Sequence, residues 1–284
     1  MSIVVTGATG HLGRLIVEAL LRDATPASEI VAAGRNVDKL NDLAARGVRV
    51  ARIDYTDAAS LAAAFEGADQ LMLVSGSEVG QRFAQHSAAI DAAKAAGVRR
   101  VVYTSAPAAT TSALILAPEH KATEEYLAQS GLDYTILRNG WYTENYVQAA
   151  QQGAATGVIA ASVGDGKVAS ASRRDYADAA AAVLTGTGHD GTTYELSGDT
   201  AWDFTELAAT VASIAGREVT YAALSPEQHA ETLAGFGLDE GTVGFVVALD
   251  GNIRDGLLDG TSGELSMLIG RPTTPLREGL AAAL

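Results

Sequence analysis

No cysteine occurs in the 284 residues, which excludes disulfides, thiolate nucleophiles and Cys-ligated metals. Long apolar runs are missing as well. No segment approaches the about 18 uninterrupted apolar residues of a spanning helix, and the start lacks a basic stretch followed by an apolar one. Neither export nor membrane insertion is expected, and the expected compartment is the cytoplasm. Basic residues are outnumbered, with 20 Lys and Arg against 34 Asp and Glu, and a net charge of −14 opposes binding to nucleic acid or anionic membranes. Arginines at a phosphate site would have to act locally against that field. The five histidines (His11, His86, His120, His189 and His229) have no i, i+4 or strand-alternating partners, so no metal site is expected. Only six prolines interrupt a chain that is 48% apolar and holds 30 glycines. That is ample material for one large domain or two closely joined lobes.

What is present is most informative at the start. The apolar run Ile3-Val4-Val5 leads into Thr6-Gly7-Ala8-Thr9-Gly10-His11-Leu12-Gly13 and then the amphipathic Arg14-Leu15-Ile16-Val17-Glu18-Ala19-Leu20-Leu21. This reads as strand, tight turn and helix. Glycines free of a Cβ penalty let backbone N–H groups at a helix N-terminus approach a pyrophosphate, so a dinucleotide is the natural ligand. The spacing is G-x-x-G-x-x-G rather than G-x-G-x-x-G, and its weight comes from the strand and helix on either side. A second strand, 29–36, ends where an NAD binder places an acid on the ribose 2′-hydroxyl. Here Gly34 leaves space and Arg35 offers a cationic fork, which suits a 2′-phosphate and favours NADPH over NADH.

Strands and helices then alternate as a parallel sheet requires. Strands are expected at 48–54, 70–75, 100–105 and 134–138, and helices at 58–65, 82–96 and 119–129. Beyond Trp141 the pattern loosens into alanine-rich helices, glycine turns and short strands such as 193–196. The expected fold is α/β: a Rossmann domain with a doubly wound parallel sheet at 1–150, and a smaller α/β lobe at 151–284. Some of the lobe's elements are expected to return to the first domain. Right-handed crossovers gather the strands' C-terminal ends at one edge, where such sheets bind ligands. That nominates residues 7–13, Arg35, Asp54, the loop Ser75-Gly76-Ser77-Glu78-Val79, Ser105, and Asn139-Gly140-Trp141-Tyr142-Thr143-Glu144.

At this point the chain resembles the NmrA-like branch of the atypical short-chain dehydrogenases/reductases, and within it the type 2 NAD(P)H:quinone oxidoreductases. The resemblance covers nearly the whole chain. It is carried by residues 6–13, Ser77-Glu78-Val79-Gly80-Gln81-Arg82, Leu137-Arg138-Asn139-Gly140-Trp141-Tyr142-Thr143-Glu144-Asn145-Tyr146 and Gly164-Asp165-Gly166-Lys167-Val168-Ala169-Ser170-Ala171. It implies NADPH at residues 7–12, Arg35, 77–79, 139–144 and Arg173, and a quinone as small-molecule hydride acceptor. Homo-oligomerisation is compatible with the sequence.

One departure from the wider superfamily bears on chemistry. Ordinary members pair a tyrosine acid with a lysine one helical turn later. None of the nine tyrosines here precedes a lysine by four, and Lys121 has Ala117 in that place. A ketone reductase would miss the proton donor, because an alkoxide is strongly basic. Hydride addition to a quinone leaves a phenolate-like oxygen of pKa about 10, which hydrogen bonding or solvent can protonate. Lys121 and Tyr142 are the candidate catalytic residues. Lys121 is either a positioning donor or a solvated helix residue, and Trp141 and Tyr142 either stack on ring systems or fill the core. His120 either flanks the nicotinamide or lies on a helix surface. Two further readings stay open: an NADP(H)-binding redox sensor without turnover, and a reductase of activated ketones, enones or imines.

Overall fold

The computed structural model describes every residue except Ala282. The chain opens with β1 (Ile3–Val5), α1 (His11–Arg22), β2 (Ile30–Gly34), α2 (Asn41–Ala45), β3 (Arg49–Arg52) and α3 (Ala58–Phe65). It continues through β4 (Gln70–Leu73), α4 (Arg82–Ala95), β5 (Arg100–Ser105), α5 (Ala117–Gln129) and β6 (Asp133–Asn139). Next come α6 (Val147–Thr156), β7 (Val158–Ala161), β8 (Lys167–Val168), α7 (Arg173–Thr185) and β9 (Thr193–Leu196). The remainder is β10 (Trp202–Asp203), α8 (Phe204–Ala215), β11 (Thr220–Ala223), α9 (Pro226–Gly235), α10 (Glu240–Arg254), α11 (Glu264–Ile269) and α12 (Leu276–Ala281).

The first compact unit comprises Met1–Thr110, Leu116–Asn139 and Arg173–Glu195. Its sheet has the order β3-β2-β1-β4-β5-β6-β9, and each pairing from β3 through β6 is parallel. This is a doubly wound nucleotide-binding topology, whose direction of winding reverses between β1 and β4. Every residue of β1, β2, β4 and β5 is buried, which is why those strands read as continuous runs rather than alternating ones. Phe65, Leu71, Tyr103 and Leu127 belong to the core between the sheet and its helices.

The first unit ends at Asn139 and regains 173–195, where the sequence pattern places the boundary at 150. Two buried polar side chains explain the return. Arg100 donates through Nη2 to the carbonyl of Val183 at 2.7 Å, and Gln70 through Nε2 to that of Leu184 at 3.0 Å, so the sheet satisfies the end of α7. Alanines at 177, 180 and 181 let α7 approach closely, and Arg22 of α1 bonds Asp178 at 2.5 Å.

The second unit comprises Thr111–Ile115, Gly140–Ser172 and Leu196–Leu284. It holds two short sheets, β8 with β10 antiparallel and β7 with β11 parallel. Reciprocal capping boxes, Asp203 with Glu206 and Ser225 with Gln228, start α8 and α9. The buried Asp250 carboxylate accepts from Ser162 N at 2.7 Å and Oγ at 3.0 Å and lies 2.9 Å from His229 Nδ1, tying α9 and α10 to the segment after β7. Among the described residues, no helix is long and apolar enough to cross a membrane.

Candidate functional site

The turn after β1 is shaped by contacts that only glycine permits. Gly7 has φ +63°, and a Cβ on Gly13 would lie 2.4 Å from the Gly7 carbonyl oxygen. The turn closes on itself through Gly10 N donating to Gly7 O at 2.9 Å. Ala8 N reaches the Ala33 carbonyl at 3.0 Å, and a Cβ on Gly34 would strike Thr9 Cγ2 at 2.6 Å, so the end of β2 is pressed against the turn. Thr6 staples the other side, with its Oγ1 accepting from Val74 N at 3.1 Å. Helix α1 begins at Gly10 with no side-chain cap and no acid in its first turn, and its first residue, His11, is exposed. Its opening N–H groups and positive dipole end therefore have no side-chain anion of their own. Uncapped helix, left-handed glycine and steric cradle together fit a pyrophosphate.

Arg35 follows β2 directly. Its Nη1 lies 2.7 Å from Oε1 of Glu78, and its side chain is largely exposed. Asp54, half-buried after β3, accepts from Thr56 N at 2.9 Å and Thr56 Oγ1 at 2.7 Å. Those bonds hold its carboxyl below the usual range, with Arg35 and Arg52 adding to the effect.

The loop at 75–79 leaves β4 and is fixed by α4 and α5. Gly76 N donates to His86 Nε2 at 3.0 Å, and Gly76 O accepts from Arg82 Nε at 2.8 Å. Arg82 in turn bonds both oxygens of Glu119, through its own N and Nη1 at 3.0 Å each. His86 Nδ1 faces Thr123 Oγ1 at 3.1 Å, and that hydroxyl donates to Glu119 O at 2.9 Å. This chain sets the tautomer: Nδ1 carries the proton and Nε2 accepts. Ser75 N donates to Thr104 Oγ1 at 2.8 Å, while Ser77 and Val79 are exposed.

Beside this network, Tyr103 OH bonds His120 Nδ1 at 2.7 Å, and the His86 and Tyr103 rings meet edge-on at 5.2 Å. His120 is thus buried, which removes its surface alternative, and Tyr103 lies against both it and His86. Burial, helped by the positive charge of Arg82, lowers both imidazoles to about 3. Both are neutral in the fold and titrate near 6.5 when unfolded. The unfolded chain therefore binds more protons between pH 6.5 and 3, and stability falls on acidification through that window. Each ring should contribute a slope of about 1.4 kcal/mol per pH unit there. Urea unfolding at pH 7 and pH 5 measures it. His86→Gln should destabilise the protein at pH 7 yet flatten the slope, and an unchanged slope would contradict the assignment.

Ser105, at the end of β5, donates to the buried Glu124 at 2.6 Å. Glu124 also receives Arg138 through Nε at 2.9 Å and Nη2 at 2.6 Å, and Arg138 reaches Glu195 at 2.8 Å. Lys121 lies on α5 with its ammonium in solvent, 3.9 Å from Glu125, and Ala117 one turn earlier is buried. Asn139 closes β6 and is buried, and Arg173 begins α7, half-buried. These belong to the first unit, together with residues 7–13, Arg35, Asp54 and 75–79.

Gly140 to Glu144 belong to the second unit. Gly140 N donates to Leu196 O at 2.7 Å, Thr143 N to Ala171 O at 2.9 Å, and Tyr142 forms an isolated parallel bridge with Ala171. Thr143 Oγ1 meets Ser170 Oγ at 2.9 Å, and Trp202 Nε1 donates to the same Ser170 Oγ at 3.0 Å. Trp141, Tyr142 and Glu144 are half-buried, while Tyr146 is packed edge-on to Trp202 at 4.8 Å. Sequence reasoning passed over Arg82, His86, Glu119 and Thr123. The usable signal was Arg82 and His86, one turn apart on a helix face whose next buried members are Ala89, Ile90 and Ala93.

The winding order and the glycine turn define a dinucleotide-binding α/β protein. The sequence profile described as NAD(P)H-binding matches residues 7–187. Over 280 residues the chain is 49% identical to quinone oxidoreductase 2 of Escherichia coli K12, covering 98% of this chain and 97% of that one. The crystal structure of NADPH-dependent quinone oxidoreductase from E. coli, complexed with NADPH, matches with TM-score 0.95 and 48% identity over 99% of both chains. Triphenylmethane reductase from Citrobacter sp., complexed with NADP(H), gives TM-score 0.95 and 38% identity over the whole of both chains. The chain belongs to the NAD(P)H-binding family.

Proposed function

We propose that this protein is an NADPH-dependent quinone reductase. The observation that carries the reading is the near full-length similarity to quinone oxidoreductase 2 of E. coli, joined to a turn whose geometry fits a pyrophosphate. Bound nicotinamide would supply a hydride, both electrons together, and so avoid a radical acceptor. The chain's own residues bind and orient. Residues 7–13 are proposed to hold the pyrophosphate, Arg35 the 2′-phosphate with Glu78 beside it, and Asp54, Ser75, Gly76, Ser77, Val79, 139–144 and Arg173 the rest of the cofactor. Lys121 and Tyr142 are the groups proposed to act toward the acceptor.

The test is steady-state NADPH oxidation against benzoquinones, naphthoquinones, enones and simple ketones. A protein that binds NADPH but oxidises it with none of these would be a redox sensor instead. For the cofactor, Arg35→Ala should cost NADPH about 1.5–3 kcal/mol of binding, the range for hydrogen bonds to charged groups, and spare NADH. Equal losses measured for both cofactors by fluorescence titration would refute the role of Arg35.

A further inference from the structure

Arg35 is already paired. Glu78 Oε1 lies 2.7 Å from its Nη1, and Glu78 Oε2 accepts from Gln85 Nε2 at 2.7 Å. The Arg35 side chain is 70% exposed and that of Glu78 38%, so an anion arriving at the end of β2 meets both charges in water. The backbone of the loop that carries Glu78 is held two residues earlier, where the Gly76 N–H donates to His86 and its carbonyl accepts from Arg82, so displacement falls to the Glu78 side chain. A carboxylate and a phosphate present similar oxygens to a guanidinium and seek the same planar fork.

We infer that Glu78 is a specificity-determining residue: its carboxylate occupies the fork of Arg35 in place of a 2′-phosphate and must yield when a phosphorylated cofactor binds. This rests on the reading of Arg35 given above. A 2′-hydroxyl carries no charge and leaves the Arg35–Glu78 pair in place, so NADH has no carboxylate to displace. Glu78 therefore weakens NADPH selectively and narrows the preference that Arg35 creates. The effect is moderate, since an exposed ion pair is weak and the repulsion between carboxylate and phosphate is screened.

The experiment titrates NADPH, NADH and adenosine 2′,5′-bisphosphate onto the full-length protein and its Glu78→Gln and Arg35→Ala variants, by fluorescence and calorimetry. Glutamine keeps the side chain's shape and its contact with Gln85. Glu78→Gln should tighten NADPH and the bisphosphate by about three- to tenfold and leave NADH within about twofold. Weaker NADPH binding would overturn the inference, because it would make Glu78 an orienting partner of Arg35. An unchanged NADPH affinity would overturn it too. Should Arg35→Ala leave NADPH affinity intact, the reading of Arg35 fails rather than the inference alone, and the two failures are told apart by that variant. A Glu78→Ala variant repeats the measurement without the Gln85 bond, and the same gain for NADPH is expected.

Discussion

Quinones will be reduced faster than simple aliphatic ketones by about 10²–10⁴-fold in kcat/KM, the usual contribution of a positioned acid or base. A ketone must take up a proton as hydride arrives, and no tyrosine of this chain is followed by a lysine one helical turn later to make it a strong donor. Ala117 occupies the position one turn before Lys121 and is buried. Tyr103 and Tyr146 are buried phenols whose pKa values are pushed above the ordinary value by desolvation, which makes them poor acids near neutrality. Ser105 spends its hydroxyl proton on Glu124 at 2.6 Å, so it does not donate to a carbonyl. A reduced quinone oxygen, with a pKa of about 10, tolerates delayed protonation from solvent. Comparable rates with cyclohexanone and benzoquinone would contradict this account and demand a proton donor elsewhere. Intermediate rates with enones would support it, because conjugation lowers the basicity of the oxygen formed.

The first half of the molecule was legible because its signals are local. A fully buried parallel strand is a run of apolar residues, and Ile3-Val4-Val5 before three spaced glycines admits few other readings. The strand at 100–105 coincides with β5, and 193–196 with β9. Helix α5 starts earlier than the expected 119, at Ala117, because Pro118 fits the first turn of a helix. The second unit was obscure for an equally physical reason. Strands β8 and β10 have two residues each, too few for any periodicity, and β7 pairs with β11 across the intervening β8, α7, β9, β10 and α8. Within the site, Gly34 and Arg35 could be read from their place at a strand end. Glu78 could not be matched to Arg35 in advance, since the two meet only because the sheet sets β2 and β4 on either side of β1. The partly buried Arg82–Glu119 pair was hidden similarly: each residue looks like a solvated helix charge until α4 and α5 pack together.

Gly13→Ala should reduce NADPH affinity by about two orders of magnitude, the scale of loss that a displacement of about 1 Å at a preorganised site produces. The added Cβ would stand 2.4 Å from the oxygen and 2.6 Å from the carbon of Gly7, and 2.9 Å from Ala8 N. All three are backbone atoms, so no side chain can swing aside. Either the turn lifts away from α1 or the helix retreats, and both moves take the opening N–H groups off the pyrophosphate position. The turn is pinned on two sides, by Ala8 N on the Ala33 carbonyl and by Thr6 Oγ1 under Val74 N, so the strain is not absorbed silently. Overpacking of this kind should also cost about 1–3 kcal/mol of stability. Gly244→Ala provides the contrast. Gly244 lies within α10 with open space around its Cβ position, and alanine there should be neutral or stabilise the fold by up to about 1 kcal/mol without touching cofactor affinity. Thermal melts and NADPH titration of both variants decide the matter. A Gly13→Ala protein that binds NADPH as tightly as the parent would show that the turn relaxes freely, and the steric account of the cradle would then be wrong.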